Sequence, residues 1–450
     1  MFQVLNRRVP QQMTTEILGE NGKYSVGSLY STIFKSERIL KSVFLDQSTN
    51  MIASSVSHPK VASLFSGCGG FDLGFQLAGY GSLCAFDICP NVVNVFRNNI
   101  HNACEQLDLS SASIARRSFG RPDVVIAGSP CQGFSTLGHR RIKDPRNSLY
   151  LRGTKIAIEL SPRVIVLENV TGILSKKMSG HLLSAISCLE NAKYYTKLVQ
   201  LRCSDFGVPQ IRKRVFLIAC KAKKPLVDFE IATRPKQSLK QALAGVRGLQ
   251  NHEPNILDAK SDAFKIAVCI GQHQKLCNVR GGERAVATWD IPSVFGRTTK
   301  HERAVLCSIR SLRRRIRVRE TGDADPVRLS DLKFDLGSNI SGVLNRLIEK
   351  RFVRKIGRRF DLTNTFNGKY RRLSYTHPSP AVDTRFGMPN YFLHPTEHRG
   401  FTVREAARIQ GFPDDFVFDG SISKQFQMIG NAVPVPVAEC IAIAIKQYLL

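Results

Sequence analysis

The residues most able to do chemistry in this sequence sit in short loops that follow runs of apolar residues. After Val124 to Ala127 the chain reads Gly128-Ser129-Pro130-Cys131-Gln132-Gly133-Phe134-Ser135. In α/β sheets, ligands bind beyond the carboxyl ends of strands. A cysteine in a Gly/Pro/Ser loop at such an end becomes a nucleophile where nearby cations or amides favour its thiolate. The next apolar run, Val164 to Leu167, ends in Glu168-Asn169-Val170. Neighbouring strands would bring Cys131 and Glu168 to the same rim, a nucleophile beside a carboxylic acid. A third element, Gln210-Ile211-Arg212-Lys213-Arg214, immediately precedes the run Val215 to Ala219. Alternating residues of a strand share a face, so Gln210, Arg212 and Arg214 are expected to point the same way. Such a cationic row suits phosphate or a polarised base carbonyl.

Upstream, the apolar run Val61 to Phe65 leads into Phe65-Ser66-Gly67-Cys68-Gly69-Gly70-Phe71-Asp72-Leu73-Gly74. Glycines here permit a tight turn and close approach of a ligand to the backbone. The spacing is G-x-G-G, with Asp72 where a dinucleotide site would carry its third glycine, and there is no G-K-[ST] ending of a P-loop. The next apolar run, Leu83 to Asp87, ends on a carboxylate placed to accept hydrogen bonds from ribose hydroxyls. Together these features suggest an adenosine ligand held without a phosphate-cradling loop.

The elements that must position these residues read as a doubly wound, mostly parallel α/β sheet. The five apolar runs are near-continuous rather than alternating, as in strands buried on both faces, and they alternate with helix-capable stretches. Residues 58–221 form the expected catalytic and cofactor-binding domain, behind an N-terminal extension of residues 1–57. A middle region at 222–400 follows, and 401–450 returns to the first domain, with Ala432 to Leu449 reading as an apolar strand or helix. Within the middle region, 302–363 has its own order. A basic helix from Glu302 to about Arg315 precedes Leu329 to Leu336. A helix with Ser338 as N-cap follows, its Ile340, Val343, Leu344, Leu347 and Ile348 on one face. The pair Phe352 to Ile356 and Arg358 to Thr363 then forms a hairpin. That is the order of a winged helix.

The chain has 450 residues with 65 Lys/Arg against 36 Asp/Glu, a formal charge of +29. An excess of that size points to a polyanionic partner, nucleic acid first. The stretch 300–372 holds 20 Lys/Arg and 8 Asp/Glu, a net +12 in 73 residues. No run approaches the ~18 apolar residues of a membrane span, and the start lacks the pattern of a secretory signal. Twelve cysteines are scattered without a C-x-x-C pair, which indicates neither zinc ribbon nor disulfide scaffold and fits a reducing compartment. His394 and His398 are four apart but lack a third ligand at matching spacing, so they read as structural and no metal site is expected. Trp289, the one tryptophan, carries no separable signal.

Taken together and in this order, these motifs resemble the DNA (cytosine-5) methyltransferase family: F-S-G-C-G-G, G-S-P-C-Q-G-F-S, E-N-V and Q-I-R-K-R. The C-terminal R-E-A-A-R-I-Q-G-F-P-D-D-F (Arg404 to Phe416) and Q-M-I-G-N-A-V-P-V-P-V-A (Gln427 to Ala438) complete the set. The resemblance covers residues 61 to 220 and 371 to 445, just over half of the chain. It implies transfer of the methyl group of S-adenosylmethionine to carbon 5 of a cytosine flipped out of duplex DNA. It assigns Cys131 as the nucleophile at carbon 6 and Glu168 as the acid at nitrogen 3, with Arg212 and Arg214 holding the base and the active-site loop. Phe65, Gly67, Gly69, Gly70, Asp87, Asp108 and Asn431 would bind S-adenosylmethionine. Residues Gln132 to Arg146 would close over the DNA as a mobile loop.

For DNA contact the candidates are Gln132, Ser135, Gln210, Arg313, Arg314, Asn345, Arg346, Arg354 and Arg358. The family usually carries an aspartate where this chain has Ser63, so local hydrogen bonding is expected to differ there. The winged-helix-like stretch is also a departure from the common pattern. A sequence-specific modification methylase, monomeric on duplex DNA, with a cognate restriction endonuclease as genetic partner, is the expectation. Its place would be the cytoplasm, at the nucleoid in a bacterium. The alternatives are methylation of tRNA cytosine and a catalytically silent DNA-binding regulator.

Overall fold

The five near-continuous apolar runs lie side by side in one seven-stranded sheet. The protein is represented by a computed structural model that describes residues 58–112, 114, 119–130, 148–176, 178–221, 226, 229–319, 324–337 and 339–449. The elements of the sheet region are β1 (Lys60–Leu64), α1 (Gly70–Leu77), β2 (Gly81–Asp87), α2 (Pro90–Asn99), β3 (Cys104–Gln106), β4 (Val124–Gly128), α3 (Ser148–Glu159), β5 (Val164–Val170), α4 (Ser179–Asn191), β6 (Tyr195–Arg202) and β7 (Lys213–Cys220). The strand order is β3-β2-β1-β4-β5-β7-β6. All pairings are parallel except those of β7, which runs antiparallel to both β5 and β6.

Alternate residues of the central strands feed opposite cores, which is why the runs are apolar throughout. Val61, Val124, Ile126, Val164, Val166, Phe216 and Ile218 pack with Phe71 and Phe75 of α1. Ala62, Leu64, Val125, Ala127, Ile165, Leu167, Val215 and Leu217 pack on the other face with Tyr150 and Ile156 of α3 and Leu182, Ala185 and Leu189 of α4. Two strands escape the apolar-run pattern. β3 has three residues, and β6 is only partly buried, with exposed residues recurring along its length.

The middle region carries α5 (Leu239–Leu243), α6 (Asp262–Cys269), β8 (Lys275–Cys277), β9 (Ala285–Val286), α7 (Pro292–Phe295), α8 (Lys300–Arg315), β10 (Val327–Arg328), α9 (Leu329–Leu336), α10 (Ser341–Glu349), β11 (Val353–Ile356), β12 (Arg359–Leu362), β13 (Asn367–Lys369), β14 (Arg371–Arg372) and β15 (Phe392–Leu393). β10, β12 and β11 form an antiparallel three-stranded sheet in that order. Three helices, α8 to α10, share a core with it, made by Val305, Ile309, Leu332, Val343, Leu347, Phe352 and Phe360 among others.

Thr299 caps α8 reciprocally. Its hydroxyl accepts from Glu302 N at 3.2 Å, and the Glu302 carboxylate accepts from Thr299 N at 2.8 Å. That carboxylate is fully buried and also receives Lys350 Nζ at 2.8 Å, which ties the end of α10 to the start of α8. Ile356 pairs with Arg359, so the hairpin turn is Gly357-Arg358, with Gly357 at φ 57° as a two-residue hairpin loop requires. Ser338, the expected N-cap, lies outside the described residues. α10 starts at Ser341, with Ile340 in the N-cap position and no side-chain cap.

The C-terminal elements are α11 (Val403–Gln410), α12 (Ile422–Asn431) and α13 (Val435–Ile445). Residues 432 to 449 are helical rather than extended over most of their length. α13 lies so close to α1 that a Cβ on Gly74 would be 2.4 Å from that of Ala438. Tyr80 Oη, in the turn after α1, donates to Ala442 O of α13 at 2.8 Å. Within residues 422–448 one window reaches a mean hydropathy of 1.8, apolar enough by composition to cross a membrane. The segment is broken between α12 and α13 at Ala432 to Pro434, and 61% of that window is buried in the protein.

Candidate active site

Three backbone turns build one side of the site. Phe65, at φ 53°, and Gly67, at φ 58°, turn the chain sharply off the end of β1. Asp87 at the end of β2 fixes that turn. Its Oδ2 accepts from Gly67 N and its Oδ1 from Cys89 N, each at 3.0 Å. Burial pushes the Asp87 carboxyl upward, opposed by these backbone donors. Gly69, at φ 94°, supports the turn from behind, since a Cβ there would meet Ile100 Cγ1 at 2.6 Å.

The departure at Ser63 is compensated from α1. Ser63 Oγ donates to Asp72 Oδ2 at 2.9 Å, so a buried carboxylate stands beside the end of β1 although the strand itself supplies none. Burial pushes that carboxyl up to about 7.

A cavity of about 350 Å³ opens over these turns. Phe65, Gly67, Gly70, Asp87 and the exposed Ile88 line one end. Pro130, Glu168, Arg212 and Arg214 line the other, and Asn431 and Val433 lie at the C-terminal side. Glu168 is buried in β5, and Arg214 Nε stands 2.7 Å from its Oε1. Burial raises the Glu168 carboxyl, and the charges of Arg214 and Arg212 pull it back. The site therefore holds a carboxyl whose ionisation is disfavoured by burial and favoured by a fixed cation on one oxygen.

The arginine row expected on one strand face divides into two parts. β7 begins only at Lys213, and Gln210 belongs instead to an isolated bridge with Ser379. Arg212 is buried and donates to Val382 O at 3.0 Å and Gly430 O at 2.8 Å, which makes it a brace for the cavity wall. Gln210 is fully buried. Its Nε2 donates to Gln410 Oε1 at 2.6 Å, and its Oε1 accepts from Val382 N at 3.3 Å, so it cannot touch DNA as expected.

Arg313 is the second correction. It is buried in an ion pair with Asp361 at 2.5 Å and holds α8 to β12. Arg314, Asn345, Arg346, Arg354 and Arg358 are exposed. Arg346 stands 3.8 Å from Glu302, and Arg354 stands 3.1 Å from Asp361.

Asp108 is exposed, accepts from Ser110 N at 2.9 Å and does not line the cavity. Cys131, Gln132 and Ser135 lie outside the described residues. Gly128, Ser129 and Pro130 line the cavity, and Cys131 follows Pro130 in the chain. His394 is buried and accepts at Nδ1 from Glu397 N at 3.2 Å, while His398 Nδ1 faces Arg372. Among the described residues, no group of three His, Cys, Asp or Glu side chains is arranged to hold a metal.

Sequence reasoning missed Ile88, Lys424 and Gln427 as cavity residues. Ile88 had a signal, since it directly follows the carboxylate at the end of β2. Gln427 opens the same motif as Asn431, and Lys424 precedes it by one helical turn.

The chain matches the C-5 cytosine-specific DNA methylase family over residues 59–447. It belongs to that family. The type II methyltransferase M.DdeI of Desulfomicrobium norvegicum is 31% identical over 418 residues, covering 86% of this chain and 88% of that protein. The putative type II methyltransferase M.OihORF3336P of Oceanobacillus iheyensis is 30% identical and covers 86% and 95%. A solved putative DNA modification methyltransferase encoded within an E. coli prophage has a TM-score of 0.54 at 24% identity, covering 87% of this chain and 99% of that one, a likeness of fold. In this methylase the cavity thus has two ends with different chemistry. One is an apolar and hydrogen-bonding cradle, the other a buried acid with its cation.

Proposed function

We propose that this C-5 cytosine-specific DNA methylase is a modification enzyme that methylates one cytosine within a specific duplex sequence. The observation that carries the reading is the shared cavity in which Glu168 and Arg214 face the cradle of Phe65, Gly67 and Asp87. The cradle fits S-adenosylmethionine. Asp87 keeps carboxylate lone pairs for ribose hydroxyls, and Ile88 and Phe65 offer apolar surface to a purine. Asn431 completes the wall, and Asp108 reaches the adenine edge only by a movement of its side chain. When bound, S-adenosylmethionine supplies an electrophilic methyl group.

Carbon 5 of cytosine is a weak nucleophile, so the chain must activate the ring. The Cys131 thiolate adds to carbon 6 while the Glu168 carboxyl, raised by burial, hydrogen-bonds or protonates nitrogen 3. Carbon 5 then takes the methyl group as an enamine carbon, loses its proton, and the thiolate leaves. Arg214 orients Glu168 through Oε1 and leaves Oε2 for the base. Flipping the cytosine out of the stack costs a few kcal/mol, offset by phosphate contacts. The loop Gln132 to Arg146 supplies part of these through Gln132 and Ser135.

Residues 58–221 with 401–450 do the chemistry, and 222–400 recognise DNA. Within the latter, the helices α8 to α10 and the three-stranded sheet form a winged-helix unit. Its α10 presents Asn345 and Arg346 to base edges, and Arg314, Arg354 and Arg358 anchor phosphates. The enzyme acts as a monomer in the cytoplasm, at the nucleoid, with a restriction endonuclease of the same specificity as genetic partner. Bisulfite sequencing of DNA from cells expressing the protein tests this reading. Methylation at one recurrent sequence, abolished in Cys131→Ser, is the expected result. Incorporation of methyl groups only into tRNA would overturn it.

A further inference from the structure

Resting on that reading, we propose that a second cavity, outside the active site, seats a backbone phosphate of the bound DNA. It measures about 310 Å³ and is lined by Lys275 of β8, Arg284, Arg371 and Arg372 of β14, His273 and His377. Among the described residues, no carboxylate lines it. Arg372 is buried, and its guanidinium is spent on the carbonyls of Ala267, Ile270, His394 and Glu397, so it acts as a fixed positive charge behind the floor. Lys275, Arg284 and Arg371 stand nearer to solvent.

The second, independent observation is His273. Its φ of 69° is a left-handed conformation that non-glycine residues rarely adopt. Its N–H holds that conformation by donating to Arg372 O at 3.1 Å. Its ring stacks on His377 with centroids 4.1 Å apart, and its Nε2 is buried without a hydrogen-bond partner among the described residues. Backbone strain of this kind clusters at ligand sites. The cations that line the cavity suit an anion, and a phosphodiester faces Lys275, Arg284 and Arg371 at once.

Neighbouring geometry favours a chain of phosphates over a lone ion. Ile211 and Pro378 separate this cavity from a second basin of about 620 Å³ that holds Arg202, Lys213 and Lys236. Ile211, shared by the two basins, directly precedes Arg212, the brace of the active-site wall. Burial, and then the charges of His377 and Arg284, hold His273 below its ordinary value while the cavity is empty. A phosphate reverses that effect, so seating DNA takes up a proton.

The test uses the full chain and fluorescence anisotropy with an unmethylated duplex, across salt concentration and pH. Arg284→Gln with His377→Gln should weaken duplex binding about tenfold and reduce the slope of log affinity against log salt by about 0.9. Wild-type affinity should rise as pH falls from 7.5 to 5.5, and His273→Asn, which tolerates the left-handed backbone, should flatten that rise. An unchanged salt slope in the double variant, with the duplex still bound, would overturn the phosphate seat. Calorimetry with inorganic phosphate separates the other source. Tight binding of free phosphate with no effect of the variants on the duplex would make the cavity a free-anion site and overturn the proposal. A wild-type chain that binds no duplex would instead sink the DNA reading itself.

Discussion

Arginine is used in opposite ways in the active-site cavity and in the basic unit built from α8 to α10 and their sheet. In the cavity, Arg212 and Arg214 are nearly enclosed, one donating to backbone carbonyls and the other to Glu168. Each has a position set to within a hydrogen bond. In the basic unit the cations outnumber the acids, and two ion pairs are deeply placed. Arg313 meets Asp361, and Lys350 meets the buried Glu302. Many of the other cations stand in solvent around the hairpin and the helix ends. Density of charge along the sequence therefore says little about what a given arginine does. Burial and the partner decide, and adjacent residues such as Arg313 and Arg314 fall on opposite sides of that division.

The sharpest break of this comparison is in the cavity. Glu168→Gln keeps the side-chain volume and the hydrogen bond to Arg214 but removes the acid. Methyl transfer in a single turnover should fall by about 10²–10⁴-fold, while duplex affinity stays within a few-fold. Equal losses in binding and turnover would make Glu168 a structural residue.

Next in size is the buried ion pair of the basic unit. Arg313→Met leaves the buried Asp361 with Arg354 as its remaining cation, and losing a hydrogen bond to a charged group costs roughly 1.5–3 kcal/mol. Thermal or urea unfolding should show an early transition for this unit, with the sheet domain little changed. Arg314→Met, its exposed neighbour, should leave stability within about 0.5 kcal/mol of wild type.

A smaller effect separates the exposed cations from the active site. Lys355→Gln with Arg358→Gln, both at the hairpin, should lower the salt slope of duplex binding by about 0.9 for each phosphate that is no longer neutralised. The single-turnover rate at saturating DNA should hold. A fall in rate with unchanged affinity would mean that the basic unit takes part in the chemistry.

The sequence made the sheet legible because its central strands are buried on both faces and so lack any polar interruption. β6 and β3 were not legible, the first because half of it faces solvent and the second because three residues carry no pattern. Glu168 and Asp87 were legible from their position at strand ends, where the fold places ligands. The roles of Gln210 and Arg212 were not. Their partners, Gln410, Val382 and Gly430, are some 170 to 220 residues away, in the segment after β14 and in the C-terminal helices. In the basic unit the apolar-patterned segment Leu329 to Leu336 coincides with α9, whereas the helix expected behind Ser338 starts at Ser341. The partners of its charges did not, since an ion pair depends on which face of α8 meets β12.

The last prediction concerns Asp72, the carboxyl that stands in beside Ser63. Its folded pKa, about 7 against an ordinary 3.8, means that the native state keeps the proton where the unfolded chain releases it. Between those two values the folded protein binds more protons than the unfolded one, so stability falls as pH rises, by up to roughly 1.4 kcal/mol per pH unit for one group. Above the folded value both states are ionised and the slope from this residue vanishes. Asp72→Asn keeps an oxygen for the Ser63 hydroxyl and removes the titration. Its stability relative to wild type should therefore rise from pH 4 to pH 7 and then level off, measured by denaturant unfolding at fixed ionic strength. The exchange Ser63→Asp with Asp72→Ser puts the carboxylate back on β1 and should retain S-adenosylmethionine affinity in calorimetry, whereas Asp72→Ser alone should weaken it. If Asp72→Ser alone bound as well as the exchange, the pair would be a packing feature that does nothing for the glycine turn.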